Sequence, residues 1–314
     1  MDRMRVLVTG ASGYIGWAVV HELRERGHQV VALVHESAVE FPDDVEIRHG
    51  SLQADASVRD ATRDVDGVVH LAARSTVRDS VANPTRAWRT NVTGTITLLD
   101  ALATATLRSG VSARLVFLST GAVYGTPETQ PIGEGTALAP MNPYGASKAA
   151  AEQIIGWQAA TGLLRAVSLR LFSAAGAFAG RGDRDLSRII PKVAAVAAGI
   201  EPSVAVNGDG SAVRDFVHVA DIAAAVALAW DATSVGEHQV FNVGAVPASV
   251  ADIIASTERV TGKSVAVERK PAFAGEAKEL RADTTKTRAA LGWAPTRTAL
   301  DDLVRDQWAT TTAG

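Results

Sequence analysis

The chain has 314 residues, 47% of them hydrophobic, with 31 Lys and Arg against 34 Asp and Glu and a formal net charge of −3. That length suffices for a sizeable core in one or two domains. The balance shows no basic excess of the kind that binds nucleic acid, and no apolar run reaches the length of a membrane span.

Cysteine is absent, which excludes disulfides, thiol catalysis and Cys-ligated metal. The seven histidines include no pair at H-x-x-x-H spacing, so no metal site is expected. The start runs from Met1 straight into a strand-like segment with no signal-peptide plan, and a cytoplasmic protein is the simplest expectation.

In chain order, β-branched runs predict strands at 5–8, 30–34, 45–49, 67–71, 114–119 and 166–171. Helical patterns fall between them at 14–26, stopping at Gly27, and at 84–107 and 143–161. Strands alternating with helices imply an α/β fold of the Rossmann type, a doubly wound parallel sheet with helices on both faces. After residue 172 the pattern loosens. Residues 173–185 are small and glycine-rich, as suits a loop over a ligand. A strand at 213–219, a helix at 221–230, a strand at 239–243 and helices at 250–260 and 284–291 follow. The expected division is a dinucleotide-binding domain over 1–172, with returns near 213–245, and a smaller C-terminal α/β substrate-binding lobe over 173–314.

Gly10-Ala11-Ser12-Gly13-Tyr14-Ile15-Gly16 lies between the first strand and the first helix, the context that gives a glycine motif meaning. Gly10 permits a tight turn, Gly13 lets the backbone approach a pyrophosphate at the helix N-terminus, and Gly16 allows close helix–sheet packing. At the end of the second strand, an acid would bond the adenine ribose and repel a 2′-phosphate. Here Val34 stands in that place, followed by His35, a possible partial cation, and by Glu36, which argues the other way. NAD is the expected cofactor, and NADP stays open.

The strand at 114–119 ends in the hydroxyls of Ser119 and Thr120, and strand C-termini are where ligands bind in such sheets. Tyr144 and Lys148 follow, four residues apart on one helical face. A phenol is a poor base at neutral pH, and a nearby ammonium favours its ionised form, a role expected of Lys148. Tyr144 would then take or return a hydroxyl proton while hydride moves to or from a nicotinamide, with Thr120 bonded to the same substrate oxygen. A tyrosine here could also be plain core; the glycine turn, Thr120 and Lys148 together favour chemistry.

With Gly10–Gly16, these segments are His70-Leu71-Ala72-Ala73, Asn91-Val92-Thr93-Gly94-Thr95, Ser119 to Gly125, Tyr144 to Lys148, Arg214 to Val219, Phe241-Asn242-Val243-Gly244 and Leu291-Gly292-Trp293. Collinear over nearly the whole chain, they resemble the extended short-chain dehydrogenase/reductases, and among them the nucleotide-sugar epimerases and dehydratases of the UDP-glucose 4-epimerase type. The resemblance implies cofactor contacts from Gly10, Ser12, Gly13, Tyr14, Ile15, Gly16, His35, Ser51, Leu52, Leu71, Ala72, Ala73, Asn91, Tyr144 and Lys148, with Asn91 also supporting the active-site helix. It implies substrate contacts from Arg78, Thr120, Ser173, Asn207 and Arg214, the last gripping a diphosphate with its fork. It also implies a homodimer through the helices at 84–107 and 143–161, with Trp88 and Trp157 as anchors.

Departures narrow the reaction. Family dehydratases carry an Asp-Glu pair, and decarboxylating relatives a glutamate, where this chain has Gly121 and Ala122. What remains suits a 4-epimerase, which oxidises the C4 hydroxyl of a nucleotide sugar, turns the 4-keto sugar over and reduces its other face. An NADPH-dependent 4-ketosugar reductase is the alternative, and a non-catalytic dinucleotide sensor is a second one. Ser173 replaces the usual asparagine and Ser51 an aspartate that contacts adenine; Phe273 stands where an arginine usually grips the diphosphate, with Lys278 or Arg281 as expected substitutes.

Overall fold

The computed structural model describes residues 3–35, 37, 39–272 and 277–312. Glu36 and Phe273, singled out above, lie outside the described residues. The first half runs β1 (Arg5–Thr9), α1 (Tyr14–Glu25), β2 (Gln29–Val34), β3 (Glu46–His49), α2 (Asp55–Ala61), β4 (Gly67–His70), α3 (Val77–Ala82), α4 (Pro84–Trp88), a π-helical turn (Arg89–Thr93), α5 (Gly94–Ser109), β5 (Ala113–Thr120), α6 (Pro143–Ala160) and β6 (Leu164–Leu171). Then come β7 (Ser173–Ala175), β8 (Ala177–Phe178), β9 (Arg181–Gly182), α7 (Ile189–Ala197), β10 (Val204–Asn207), β11 (Val213–His218), α8 (Val219–Asp231), β12 (His238–Val243), β13 (Val246–Ser249), α9 (Val250–Thr261), β14 (Val267–Lys270), β15 (Glu279–Leu280), α10 (Thr285–Leu291) and α11 (Leu300–Thr311).

Seven strands form one parallel sheet in the order β12-β6-β5-β4-β1-β2-β3. Its inner strands are apolar on both faces, as a parallel sheet covered by helices requires: Val6, Leu7, Val8, Val68, Val69, Leu115 and Val116 are wholly buried. Alternate residues feed two cores, Val6 and Val8 packing on one side with α1 and α8, Leu7 and Leu115 on the other with α5 and α6. From β1 the chain winds outward through β2 and β3, then crosses back to β4 and winds the other way. The switch therefore lies between β1 and β4, and the crevice beyond their carboxyl ends is the default ligand position.

The expected return of 213–245 to the large sheet is split. β12 joins it beside β6, whereas β11 pairs with β13, β15 and β7 in a second, smaller sheet. The stretch 173–185, read as loop, contains β7 and the β8–β9 pair. Three residues of strand hidden among glycines show no period that a sequence could display. The helices α2, α3, α7 and α11 are additions to the predicted set.

Candidate active site

A cleft of about 790 Å³ opens at the switch point. Its cofactor-side wall carries Gly10, Ser12, Gly13, Tyr14, Ile15, Gly16, His35, Ser51, Leu52, Leu71, Ala72 and Ala73; Thr120, Tyr144, Lys148, Ser173 and Arg214 line it too. Three expected contacts do not. Asn91 is buried in the π-helical turn. Arg78 is exposed on α3, one position round the helix from the lining Val77. Asn207 ends β10, where Val204 and Val206 point inward and the alternate residues outward, so the pleat turns it to solvent.

The glycine turn has the strain its role requires. Gly10 has φ +70°, and a Cβ there would sit 2.7 Å from the Ala72 amide nitrogen. Below it, buried His70 is held at Nδ1 by Thr9 Oγ1 (2.7 Å) and at Nε2 by Thr95 Oγ1 (3.0 Å). Thr95 donates its proton to the Asn91 carbonyl and Thr9 accepts the Ala72 N–H, so Nε2 carries the ring proton and Nδ1 accepts from Thr9. Burial, with help from the Lys148 charge, pushes His70 down to about 3 and keeps it neutral. At Gly13, the N-cap of α1, no side chain caps the helix, which leaves its first N–H groups for an anion.

The catalytic face is assembled by the start of α6. Asn142 caps the helix by accepting the Gly145 N–H at 2.8 Å, and Pro143 supplies the preset φ of the first turn. Gly145 lets that turn approach the end of β5, since a Cβ there would lie 2.7 Å from the Ala122 carbonyl. Tyr144 is thereby delivered to Thr120. Thr120 Oγ1 accepts the Ala122 N–H at 3.2 Å and keeps its own proton to donate to the phenol. Burial raises Tyr144 above its ordinary value; the Thr120 hydrogen bond and the Arg188 charge pull it back.

Lys148 lines the cleft with Tyr144; its ammonium donates to the Leu118 carbonyl at 2.7 Å and lies 4.1 Å over the Phe117 ring. Burial lowers Lys148 to about 7, and Glu152, one turn further along α6, raises it. An unfolded lysine keeps its proton to about 10.5. Between these values the unfolded chain binds more protons, so this group makes stability rise with pH across that window. Denaturant midpoints at pH 7 and pH 9 are expected to show the rise in the parent protein and to lose it in Lys148→Met.

Asn91 holds rather than lines. Its Oδ1 accepts the Arg74 N–H at 2.8 Å, and its Nδ2 donates to Ser147 Oγ at 2.9 Å, tying the loop after β4 to α6. A π-helical turn is a common device for aiming such a side chain.

The opposite wall comes from the second sheet and α7. Arg214 on β11 donates to the Ala277 carbonyl at 3.0 Å, and beside it Asp215 is a structural clamp, accepting the Ala245 and Ala282 N–H groups at 2.7 and 3.0 Å. Lys278 and Arg281 do not line the cleft; Arg188 does, oriented by Asp183 at 2.8 Å. Sequence reasoning missed Arg188 as a site residue. Its signal was an arginine at the edge of the apolar run that becomes α7.

The chain resembles known proteins along nearly its whole length. UDP-glucose 4-epimerase of Corynebacterium glutamicum is 37% identical over 99% of this chain and 96% of its own length. That of Streptomyces lividans is 38% identical over 97% and 95%. Among solved structures, the UDP-glucose 4-epimerase of Stenotrophomonas maltophila with bound NAD and formylated UDP-arabinopyranose superposes with a TM-score of 0.90 at 30% identity, covering 99% of this chain and 98% of that one. The Bifidobacterium longum enzyme in complex with NAD+ and UDP gives 0.87 at 29%, over 98% of each. The sequence pattern of the NAD dependent epimerase/dehydratase family matches residues 6–244, and the chain belongs to that family.

Proposed function

We propose that the chain is an NAD-dependent nucleotide-sugar 4-epimerase acting on UDP-linked hexoses. One observation carries the choice within the family. Among the described residues that line the cleft, the single carboxylate is Asp215, and two backbone amides hold it. Elimination of water needs an acid/base pair beside the sugar, whereas hydride exchange at C4 needs the Thr120–Tyr144 pair alone.

The strained Gly10 turn and the uncapped start of α1 fit a dinucleotide pyrophosphate. Bound NAD supplies the hydride acceptor and donor. Tyr144 removes the C4 hydroxyl proton and later returns it; Thr120 holds the same oxygen. Lys148, fixed by Leu118 and Phe117, sets a positive charge behind the reacting centre. Arg214 and Arg188 bind the diphosphate, and Ser173 lies on the sugar side. The relatives named UDP-glucose 4-epimerase support this reading. The division into a dinucleotide unit over 1–172 and a substrate lobe over 173–314 belongs to it, with α8 and β12 returning to the first unit.

The test is interconversion of UDP-glucose and UDP-galactose by purified protein without net consumption of NADH. Stoichiometric NADPH oxidation by a nucleotide 4-ketosugar, with no interconversion, would instead establish the reductase.

No helix of the described residues is long and apolar enough to cross a membrane. The cytoplasm is the proposed compartment and a homodimer the proposed assembly. Trp157 is 71% exposed and Ile154 37% on α6, with Ile96 on α5 and Trp88 on α4 also exposed. A second copy covering this apolar face accounts for them. Trp157→Glu is expected to shift the sedimenting species from dimer to monomer at micromolar concentration.

A further inference from the structure

Arg188 lines the cleft from the N-cap of α7, where its backbone is extended and its side chain makes no cap hydrogen bond. Its Nη1 donates to Asp183 Oδ2 at 2.8 Å. Asp183 is 5% exposed, and its other oxygen accepts the Asp185 N–H at 3.0 Å. Asp185 in turn accepts the N–H and hydroxyl of Ser187 at 3.0 and 2.6 Å, so the turn leading to Arg188 is wound on its own carboxylates. The turn is anchored from α11. The Gln307 side chain, 3% exposed, spans the backbone of Asp183 as a neighbouring strand would: Oε1 accepts the Asp183 N–H at 3.0 Å and Nε2 donates to the Asp183 carbonyl at 2.9 Å. Gly182 permits this approach, since a Cβ there would collide with Thr310 Oγ1. Leu303 pins α11 itself into the core of the smaller lobe. From the other side, Tyr14 of the glycine turn donates to the Gly176 carbonyl at 2.6 Å, and the Arg181 guanidinium lies 3.9 Å over the Trp17 ring. The segment 176–183 is thus gripped between α1 and α11.

We propose that Gln307, through Asp183, positions Arg188 for the substrate diphosphate, so that the C-terminal helix takes part in recognising the nucleotide sugar although no residue of α11 lines the cleft. The inference rests on the reading of Arg188 as a diphosphate ligand and extends it. Gln307 fixes the backbone of Asp183, and the charge-assisted bond from Asp183 carries that orientation to the guanidinium. Gln307 and Asp183 are positioning residues.

The test is calorimetric titration of the NAD-loaded protein with UDP, with KM and kcat for UDP-glucose measured beside it. Gln307→Met keeps the bulk of the side chain and removes both hydrogen bonds. It is expected to weaken UDP and raise KM by about tenfold, with kcat within about twofold of the parent and NAD occupancy unchanged. Arg188→Ala is expected to weaken UDP by about tenfold or more, and adding Gln307→Met to it is expected to weaken UDP no further, because the two act through one group. Leu303→Val, a packing change on the same helix, is expected to lower stability and leave UDP binding alone. Asp183→Asn reads the same link without touching α11. Both carboxylate oxygens accept, so the amide must set its NH2 against a donor. This variant is expected to weaken UDP by about threefold or more, whereas loss of the acid's charge alone would tighten it. Parental UDP affinity in Gln307→Met, an equal loss with and without Arg188, or tighter UDP in Asp183→Asn overturns the proposal. Any of these in a protein that binds UDP and interconverts UDP-hexoses rejects this inference alone; a parent protein that does neither rejects the epimerase reading.

Discussion

Tyr144→Phe is expected to lower turnover of UDP-hexose interconversion by about 10²–10⁴-fold, the usual contribution of a positioned acid/base. The KM for the nucleotide sugar and the affinity for dinucleotide are expected to stay close to the parent values. The loss follows from the geometry at the start of α6. Asn142 and Pro143 fix the first helical turn, Gly145 brings it against Ala122, and Thr120 presents a hydroxyl proton to the phenol. Phenylalanine keeps the packing and removes the one group that carries the proton. Thr120→Val should cost less, because it leaves the acid/base in place and removes one of the two groups that favour its ionised form. Steady-state rates with both sugars, with bound nucleotide quantified, check the pair. A Phe variant with parental activity would exclude catalysis by this site.

Glu152→Ala is expected to destabilise the fold by about 3–5 kcal/mol, measured by denaturant titration. Glu152 is 4% exposed and binds Arg170, itself 6% exposed, through bonds of 2.6 to 3.1 Å. It also accepts from Ser119 on β5. Arg170 continues to the Tyr124 hydroxyl at 2.8 Å, and Tyr124 donates to Asn242 on β12 at 2.7 Å. The network thus joins three strands and α6 behind the catalytic surface. Truncating Glu152 strands a buried guanidinium, whereas replacing both partners by methionine should recover most of the loss. Glu152 also raises the proton affinity of Lys148. Folded Glu152→Gln is therefore expected to show the deprotonation of Lys148 at lower pH, visible as a displaced limb in the pH–rate profile. A purely structural Glu152 would leave that limb in place.

The reach of sequence reasoning depended on the range of the interaction involved. The glycine turn was legible because strand, turn and helix are contiguous and the dinucleotide contact uses backbone. Thr120, Tyr144 and Lys148 were legible because a strand end and an i,i+4 pair are local geometry. The partner of Lys148 was not: the Leu118 carbonyl lies 30 residues away, and its distance is decided by how closely α6 settles on β5. Arg78 and Asn207 have the right chemistry for a diphosphate and stand on outward faces. The facing of Asn207 follows from the pairing of β10 with β14, a partner some sixty residues on. Asn91, expected both at the cofactor and as the support of the active-site helix, stands off the cleft and spans to Ser147 on that helix, and only the packed π-helical turn shows which way its amide points.

By itself the sequence determined the doubly wound α/β class, the dinucleotide turn, and a hydroxyl–phenol–lysine set without the carboxylates that dehydration requires. Each of these is written in short-range periodicity or in the identity of a single side chain. Tertiary structure alone decided that Arg188 lines the cleft, bringing it in from the far wall. It also decided that β11 belongs to the second sheet, and that His35, Ser51 and Gln53 line the same cleft. Those facts depend on segments far apart in the chain meeting across a cleft, and the free energy that brings them together comes from burying the two faces of the sheet.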